Sequence, residues 1–265
     1  MPDALTLPEP PYLAKTVREA LEDKAALNNA SRIILGLVAG IYIGFGGIFA
    51  LIGLAGAKAI PYGIGQTLAG LVFALGLVLV VVAGAELFTG NTLMLGSVAA
   101  GRLDAGKAAA ALAVVYAANF LGSVLLVLLT LASGFHEAGE GAIAQAALEL
   151  GAEKTTKGFT ALIASGVLAN MLVCTAVWMA YGGQTVTQKL AAVILLIAAF
   201  VAAGFEHSVA NMFLLPYAWL IQFATGAATQ ITVIGIASNL VAVTLGNLAG
   251  GALIALAYHH AYLKN

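Results

Sequence analysis

Two short segments of this chain repeat one pattern. Gly84-Ala85-Glu86-Leu87-Phe88-Thr89-Gly90-Asn91 and Gly204-Phe205-Glu206-His207-Ser208-Val209-Ala210-Asn211 both read G-x-E-x-x-x-x-N, 120 positions apart. Each lies inside an apolar stretch long enough to cross a bilayer, and together they hold the ionisable groups at that depth: Glu86, Glu206 and His207. A duplicated polar interruption of two apolar helices points to a permeation site between internal repeats. It also restricts the fold severely. Backbone can leave a helix in hydrocarbon only where protein or a wet cavity takes up the freed N–H and C=O groups.

The rest of the chain supports this environment. It has 265 residues, 62% hydrophobic and 9% charged, with a mean hydropathy of +1.01. A soluble domain of this size has too little interior to hide so much apolar surface. The apolar runs are continuous rather than alternating, which argues for helices and against a β-barrel. A net charge of −1 gives no reason to expect a nucleic-acid partner. One cysteine, Cys174, leaves no intrachain disulfide and no cysteine-based metal site, and its apolar neighbours describe an inert core thiol. The first thirty residues are polar and lack the apolar core of a cleaved leader, so the first span is expected to start the insertion itself.

Six apolar segments follow one another, at about 31–57, 65–100, 107–133, 158–181, 189–222 and 230–259. Four have ordinary lengths for a helix crossing ~30 Å of hydrocarbon. The second and fifth are too long for one straight crossing, and these two carry the repeated motif. Basic residues orient the chain. With an internal amino terminus, the inner segments hold Lys15, Arg18, Lys24, Arg32, Arg102, Lys107, Lys189 and Lys264, and the outer ones only Lys58, Lys154 and Lys157. Both termini are therefore expected inside. The division is an amino-terminal amphipathic segment over 1–29, a six-helix channel domain over 30–260 and a short tail over 261–265. Within residues 10–28, Leu13, Val17, Ala20, Leu21 and Leu27 share a helical face for the membrane surface or the bundle mouth.

Each half, 1–133 and 134–265, has three crossings, so the halves should have opposite orientation. Asn119-Phe120-Leu121-Gly122-Ser123 in the third span echoes Asn247-Leu248-Ala249-Gly250-Gly251 in the sixth. Gly84, Gly90 and Gly204 permit the backbone angles a break requires. Thr89, Asn91, Ser208 and Asn211 can satisfy freed backbone groups. Half-helices starting after each break would aim positive N-terminal ends at the protein centre and favour an anion there. Glu86 and Glu206 are expected to accept hydrogen bonds from backbone N–H groups at the breaks. His207 has no counterpart in the first half, and an imidazole suits proton exchange near neutral pH.

The motif Leu87-Phe88-Thr89-Gly90, the run Gly204 to Met212, the segment Asn170 to Met179 and Val243-Thr244-Leu245-Gly246-Asn247 occur in an order that resembles the formate/nitrite transporter family from about residue 30 to 260. The resemblance implies a homopentamer of aquaporin-like hourglass protomers, each with its own pore. It implies a central histidine, His207, beside the loop threonine Thr89. A vestibule base is implied at Lys154, sixteen positions before Asn170, with Lys157 one turn later as the other choice. Apolar constrictions map onto Phe73, Val173 and Phe200 on one side of the histidine and Leu77 and Leu87 on the other. Asn247 takes the place of the pore asparagine of the sixth span. The implied substrates are small monovalent weak-acid anions: formate, nitrite, hydrosulfide, acetate or lactate. Thr89-Gly90-Asn91-Thr92 together with Glu86 resembles the nitrite-type members more. The implied location is the cytoplasmic (inner) membrane.

Two other classes fit less well. A water or neutral-solute channel shares the geometry, but neither break has the Asn-Pro-Ala triplet, and Lys154 would be idle. A membrane enzyme would need a ligand or acid/base spacing that the single intramembrane histidine does not supply. No cofactor and no metal are expected. His136, His259 and His260 fall in a connecting loop and at the carboxyl-terminal membrane edge.

Overall fold

The computed structural model describes residues 7–228 and 230–264, and among these it is entirely helical, without strands. Helix α1 spans Pro10–Ala26, α2 Asn29–Leu54, α3 Tyr62–Ala83, α4 Phe88–Asn91 and α5 Leu95–Ala99. Then come α6 Ala105–Ala132, α7 Ala142–Thr156, α8 Phe159–Gly182, α9 Val186–Ala202, α10 Ser208–Thr225 and α11 Val233–Tyr262. By length and composition α2, α3, α6, α8 and α11 can each cross a bilayer, and α9 is a shorter apolar helix. The protein is a multi-pass membrane protein. The second and fifth apolar segments are each broken: α3 stops at Ala83 before α4, and α9 stops at Ala202 before α10.

Both breaks turn on a left-handed glycine. Gly84 has φ +78° and Gly204 φ +67°, a conformation in which a Cβ would strain the backbone. Gly90 does not share this duty, contrary to the sequence expectation: it lies within α4, where a methyl would meet only Val177 at 3.4 Å.

Two tightly crossed helix pairs flank the breaks. Gly122 of α6 stands where a side chain would strike the Leu37 carbonyl of α2, and Gly250 of α11 stands in the same relation to Val167 of α8. Missing side chains let the backbones approach, as small residues do in membrane interiors. That approach brings the buried amides of Asn119 and Asn247 to the breaks.

Helix α1 lies against the bundle through Ala14, Val17 and Leu21, which pack on Leu93, Met94, Trp178 and Ala255. The buried face is thus narrower than the five residues read from the sequence, and Leu13 joins it only partly. Arg32 at the start of α2 donates to the Ala25 and Leu27 carbonyls at 3.0 and 2.8 Å, capping the end of α1. Arg102 grips Glu22 at 2.9 and 3.2 Å. Helix α7 lies between the third and fourth apolar segments, outside any span the sequence predicts. Its alanine-rich stretch Ala142–Leu150 is a good helix former, and it packs on α10 with Lys154 in its last turn.

Candidate functional site

Each break is sealed by an asparagine from the third long helix of its half. Asn119 Oδ1 accepts the Phe88 N–H at 2.9 Å, while its Nδ2 donates to the Gly36 and Glu86 carbonyls at 2.8 and 2.9 Å. Asn247 Oδ1 accepts the Ser208 N–H at 2.8 Å, while its Nδ2 donates to the Gly166 and Glu206 carbonyls at 2.8 and 3.0 Å. The two brackets match bond for bond. Both amides are fully buried, and each satisfies two freed backbone groups at its break that lipid could not, while tying them to a helix carbonyl. Asn247 was expected at the pore. It acts at the break instead, and Asn119 is its equal.

The glutamates therefore do not take backbone N–H groups, contrary to expectation. Glu86 Oε2 accepts from Asn91 Nδ2 at 2.6 Å, and Lys24 of α1 donates to its other oxygen. Glu206 Oε2 accepts from Asn211 Nδ2 and from Lys154 Nζ, both at 2.8 Å, and Lys157 Nζ stands 3.5 Å from Oε1. Asn91 and Asn211 thus hold carboxylates rather than free backbone. Asn211 also reaches Asn239, whose Nδ2 donates to the Lys154 carbonyl and ties α7 to α11. Ser208 Oγ has no partner. Both carboxylates are 2% exposed, so a charge partner is needed to hold them ionised.

Lys154, implied by the resemblance as a vestibule base, lines one cavity described below but is largely buried and paired with Glu206. Both Lys154 and Lys157 face Glu206, and of the two only Lys154 lines the cavity. Lys24, which sequence reading placed on a solvated helix face, is the corresponding base for Glu86. The missed signal was its position one turn after Leu21 on the buried face of α1.

His207 is the N-cap of α10, and its Nδ1 accepts the Ala210 N–H at 3.1 Å. A neutral ring with Nδ1 so engaged carries its proton on Nε2. Nε2 lies 2.9 Å from Thr89 Oγ1, across the two breaks. The Thr89 hydroxyl accepts from Nε2 and keeps its own proton to donate. Asn170 is fully buried on α8, and its Nδ2 donates to the Asn247 carbonyl at 2.6 Å and to Thr92 Oγ1 at 3.0 Å.

Two cavities approach this pair. One, of about 130 Å3, is lined by Phe73, Lys154, Phe200, Glu206, His207 and Asn211. The other, of about 200 Å3, is lined by Lys24, Gly84, Leu87, Asn91, Tyr181 and Lys189 among others. They share no lining residue. Phe73 and Phe200 meet edge to face with centroids 5.7 Å apart, and Phe200 lies 5.8 Å from the His207 ring. These two aromatics thus stand on the Lys154 side and Leu87 on the Lys24 side. Leu77 and Val173 are 2% and 1% exposed and line neither cavity. No cluster of metal-ligating side chains occurs among the described residues.

Comparison with known proteins returns one family. Its model, described as formate/nitrite transporter, matches residues 11–261. The formate channel FocA of Escherichia coli K12 is 36% identical over 269 residues, covering 96% of this chain and 94% of that channel. The nitrite transporter NirC of Salmonella typhimurium is 36% identical over 236 residues, covering 86% and 82%. A solved pentameric formate channel with formate bound superposes with a TM-score of 0.82 at 36% identity, covering 89% of this chain and 98% of that one. The chain belongs to the formate/nitrite transporter family.

Proposed function

We propose that this protein conducts small monovalent weak-acid anions, formate and nitrite foremost, and passes them as the neutral acid at a constriction centred on His207 and Thr89. The observation that carries the reading is the 2.9 Å contact between His207 Nε2 and Thr89 Oγ1, with one lysine-bearing cavity lined by His207 and a second lined by Leu87 and Gly90, close neighbours of Thr89. The relatives' names cover both anions at the same 36% identity, and the proposal accordingly names the class. Its reaction is transport, not catalysis.

The physics runs from the cavity inward. Lys154 and Lys157 face the Glu206 carboxylate and Glu153 also lines the cavity, so the two bases offset the two acids and an anion reaches the aromatic pair without net repulsion. Passing Phe73 and Phe200 strips its water, at a cost of many kcal/mol for a bare ion. Desolvation raises the anion's own proton affinity. A carboxylic acid is neutral at pH 7 in only on the order of one molecule in a thousand, so uptake of a proton at the constriction opens a route that solution leaves nearly closed. The Thr89 hydroxyl, polarised by Nε2–H, is placed to donate to the entering oxygen. The cap at Ala210 holds only while Nδ1 is a bare acceptor, which favours passage beside a neutral imidazole over passage beside a cation.

The proposed architecture is six crossings in two inverted three-helix repeats, α2, α3–α5 and α6 against α8, α9–α10 and α11, in an aquaporin-like hourglass. The matched asparagine brackets support it. The proposed organisation is a 1–29 inner segment, a 30–260 channel domain and a 261–265 tail, with both termini on the cytoplasmic side of an inner membrane. The basic-residue count supports that orientation. A homopentamer is proposed from the likeness to the solved pentameric channel. The test is uptake into proteoliposomes of formate and nitrite over pH 5–8. His207→Asn should remove the proton-coupled component and leave a pore. Unaltered proton coupling in that variant rules out the assigned centre.

A further inference from the structure

What holds Thr89 against His207 is not α4 itself. That helix, the 3-10 turn Thr92–Met94 and α5 follow one another over only about a dozen residues, a length that is marginal on its own hydrogen bonds. Besides the bonds of Phe88 to Asn119 and of Asn91 to Glu86, the segment is braced at one carbonyl. The Thr89 carbonyl oxygen accepts from Thr92 Oγ1 at 2.6 Å, from Asn170 Nδ2 at 3.3 Å and from Cys174 Sγ at 3.4 Å. Thr92 Oγ1 in turn accepts from Asn170 Nδ2 at 3.0 Å and lies 3.5 Å from Cys174 Sγ. The hydroxyl of Thr92 is therefore common to every contact that α8 makes with this carbonyl. On its far side stands Gly251 of α11. A methyl there would fall 2.7 Å from Thr92 Cβ and 2.9 Å from Asn170 Nδ2, besides overlapping the hydroxyl. Thr92 is fully buried and lines neither cavity, so it does not touch a passing anion.

We infer that Thr92 is the positioning residue of the permeation centre: its hydroxyl, seated against Gly251 and joined to Asn170, fixes the Thr89 backbone and so sets the contact between Thr89 Oγ1 and His207 Nε2. The inference rests on the reading of His207 and Thr89 as that centre. Its physical basis is a lever of three residues. Thr92 is followed by the single turn to Met94 and the five-residue α5, and the Thr89 side chain leaves the same short segment toward α10. Loss of the hydroxyl removes the shortest of the three bonds to the carbonyl and leaves only the longer ones from Asn170 and Cys174, so the turn relaxes and Thr89 presents its oxygen to the imidazole less well.

The experiment compares Thr92→Val, Thr92→Ser, Gly251→Ala and His207→Asn in proteoliposomes, each checked for wild-type oligomer size. Initial rates of formate and nitrite uptake are followed over pH 5–8. Thr92→Val keeps the shape and removes the hydroxyl. Its maximal rate should fall about tenfold, the equivalent of one lost hydrogen bond, with KM little changed. Its pH profile should flatten toward that of His207→Asn. Gly251→Ala, acting from another helix, should do the same, and Thr92→Ser should restore the wild-type profile. A purely structural role for Thr92 would lower the amount of assembled protein and leave the profile of the assembled fraction intact. That outcome in Thr92→Val, with His207→Asn flattened, overturns the positioning role while the site reading stands. If Thr92→Val does not assemble, a wild-type profile in Gly251→Ala overturns the role just as directly. An unchanged profile in His207→Asn overturns both.

Discussion

Replacing either bracket asparagine by leucine should cost the protein about the same stability, because the two side chains do the same work in opposite halves. Asn119 satisfies the Phe88 N–H and the Gly36 and Glu86 carbonyls; Asn247 satisfies the Ser208 N–H and the Gly166 and Glu206 carbonyls. All six bonds are between 2.8 and 3.0 Å, and both side chains are 0% exposed. Leucine would strand two buried backbone groups at each site, the break N–H and the glutamate carbonyl, since the Gly36 and Gly166 carbonyls lie inside α2 and α8 and keep their helical bonds. At about 1–3 kcal/mol for each orphan, the loss is at least about 2 kcal/mol per variant. For a chain of this length one kcal/mol moves a melting midpoint by about 2–4 °C, so each variant should melt at least about 4 °C below the parent. Thermal denaturation of the detergent-solubilised protein, followed by loss of the monodisperse peak, measures it. Asn119→Leu and Asn247→Leu should agree to within a factor of two in their shifts. A variant that melts with the parent would refute the bracket as a stabilising device. Two shifts of very different size would refute the equivalence of the halves.

Two further outcomes follow from the charge pairs. Lys154→Met removes the closest partner of a carboxylate that is 2% exposed and should destabilise by about 3–5 kcal/mol, whereas adding Glu206→Gln to it should recover most of the loss; a double-mutant thermal cycle with no such recovery would mean the pair is not coupled. On α1, the Arg102 guanidinium that hydrogen-bonds Glu22 holds its carboxyl below the usual glutamate value, with Arg18 and Ser97 adding to the effect. A depressed acid stabilises the folded arrangement above about pH 4.3, the unfolded value, and loses that contribution as pH falls through its lower folded value. Protection of residues 10–26 from hydrogen exchange should accordingly be level between pH 5 and 8 and fall only in stronger acid, and Arg102→Gln should abolish the acid-dependent part.

Much of the architecture was legible because a bilayer leaves so few choices. Continuous apolar runs gave the long helices to within a few residues, and excess length in two of them marked the breaks at Gly84 and Gly204. His207 stood out because a titratable group at that depth has few harmless places to be, and its contact with Thr89 is the one the family resemblance implied. The charge network was not legible. A buried carboxylate needs partners, but one sequence does not say which. Lys24 lies 62 positions from Glu86 and looked like one of several exposed charges on an amphipathic helix. Lys154 looked free because α7, which turns it inward, is rich in alanine and falls below the hydropathy of a span. The role of Thr92 was equally hidden, because it depends on the absence of a side chain at Gly251, 159 positions later.

The order of these partners along the chain bears on how it is made. Each lysine precedes its glutamate, by 62 positions for Lys24 and 52 for Lys154. Each bracketing asparagine follows that glutamate, by 33 positions for Asn119 and 41 for Asn247. A ribosome working from the amino end therefore delivers the counter-ion before the acid has to leave water, and the seal for the open backbone afterwards. The charge pair and backbone seal of each half thus come from that half's own chain, whereas the turn bearing Thr89 waits for Asn170 and Gly251 of the second half before it can set its contact with His207.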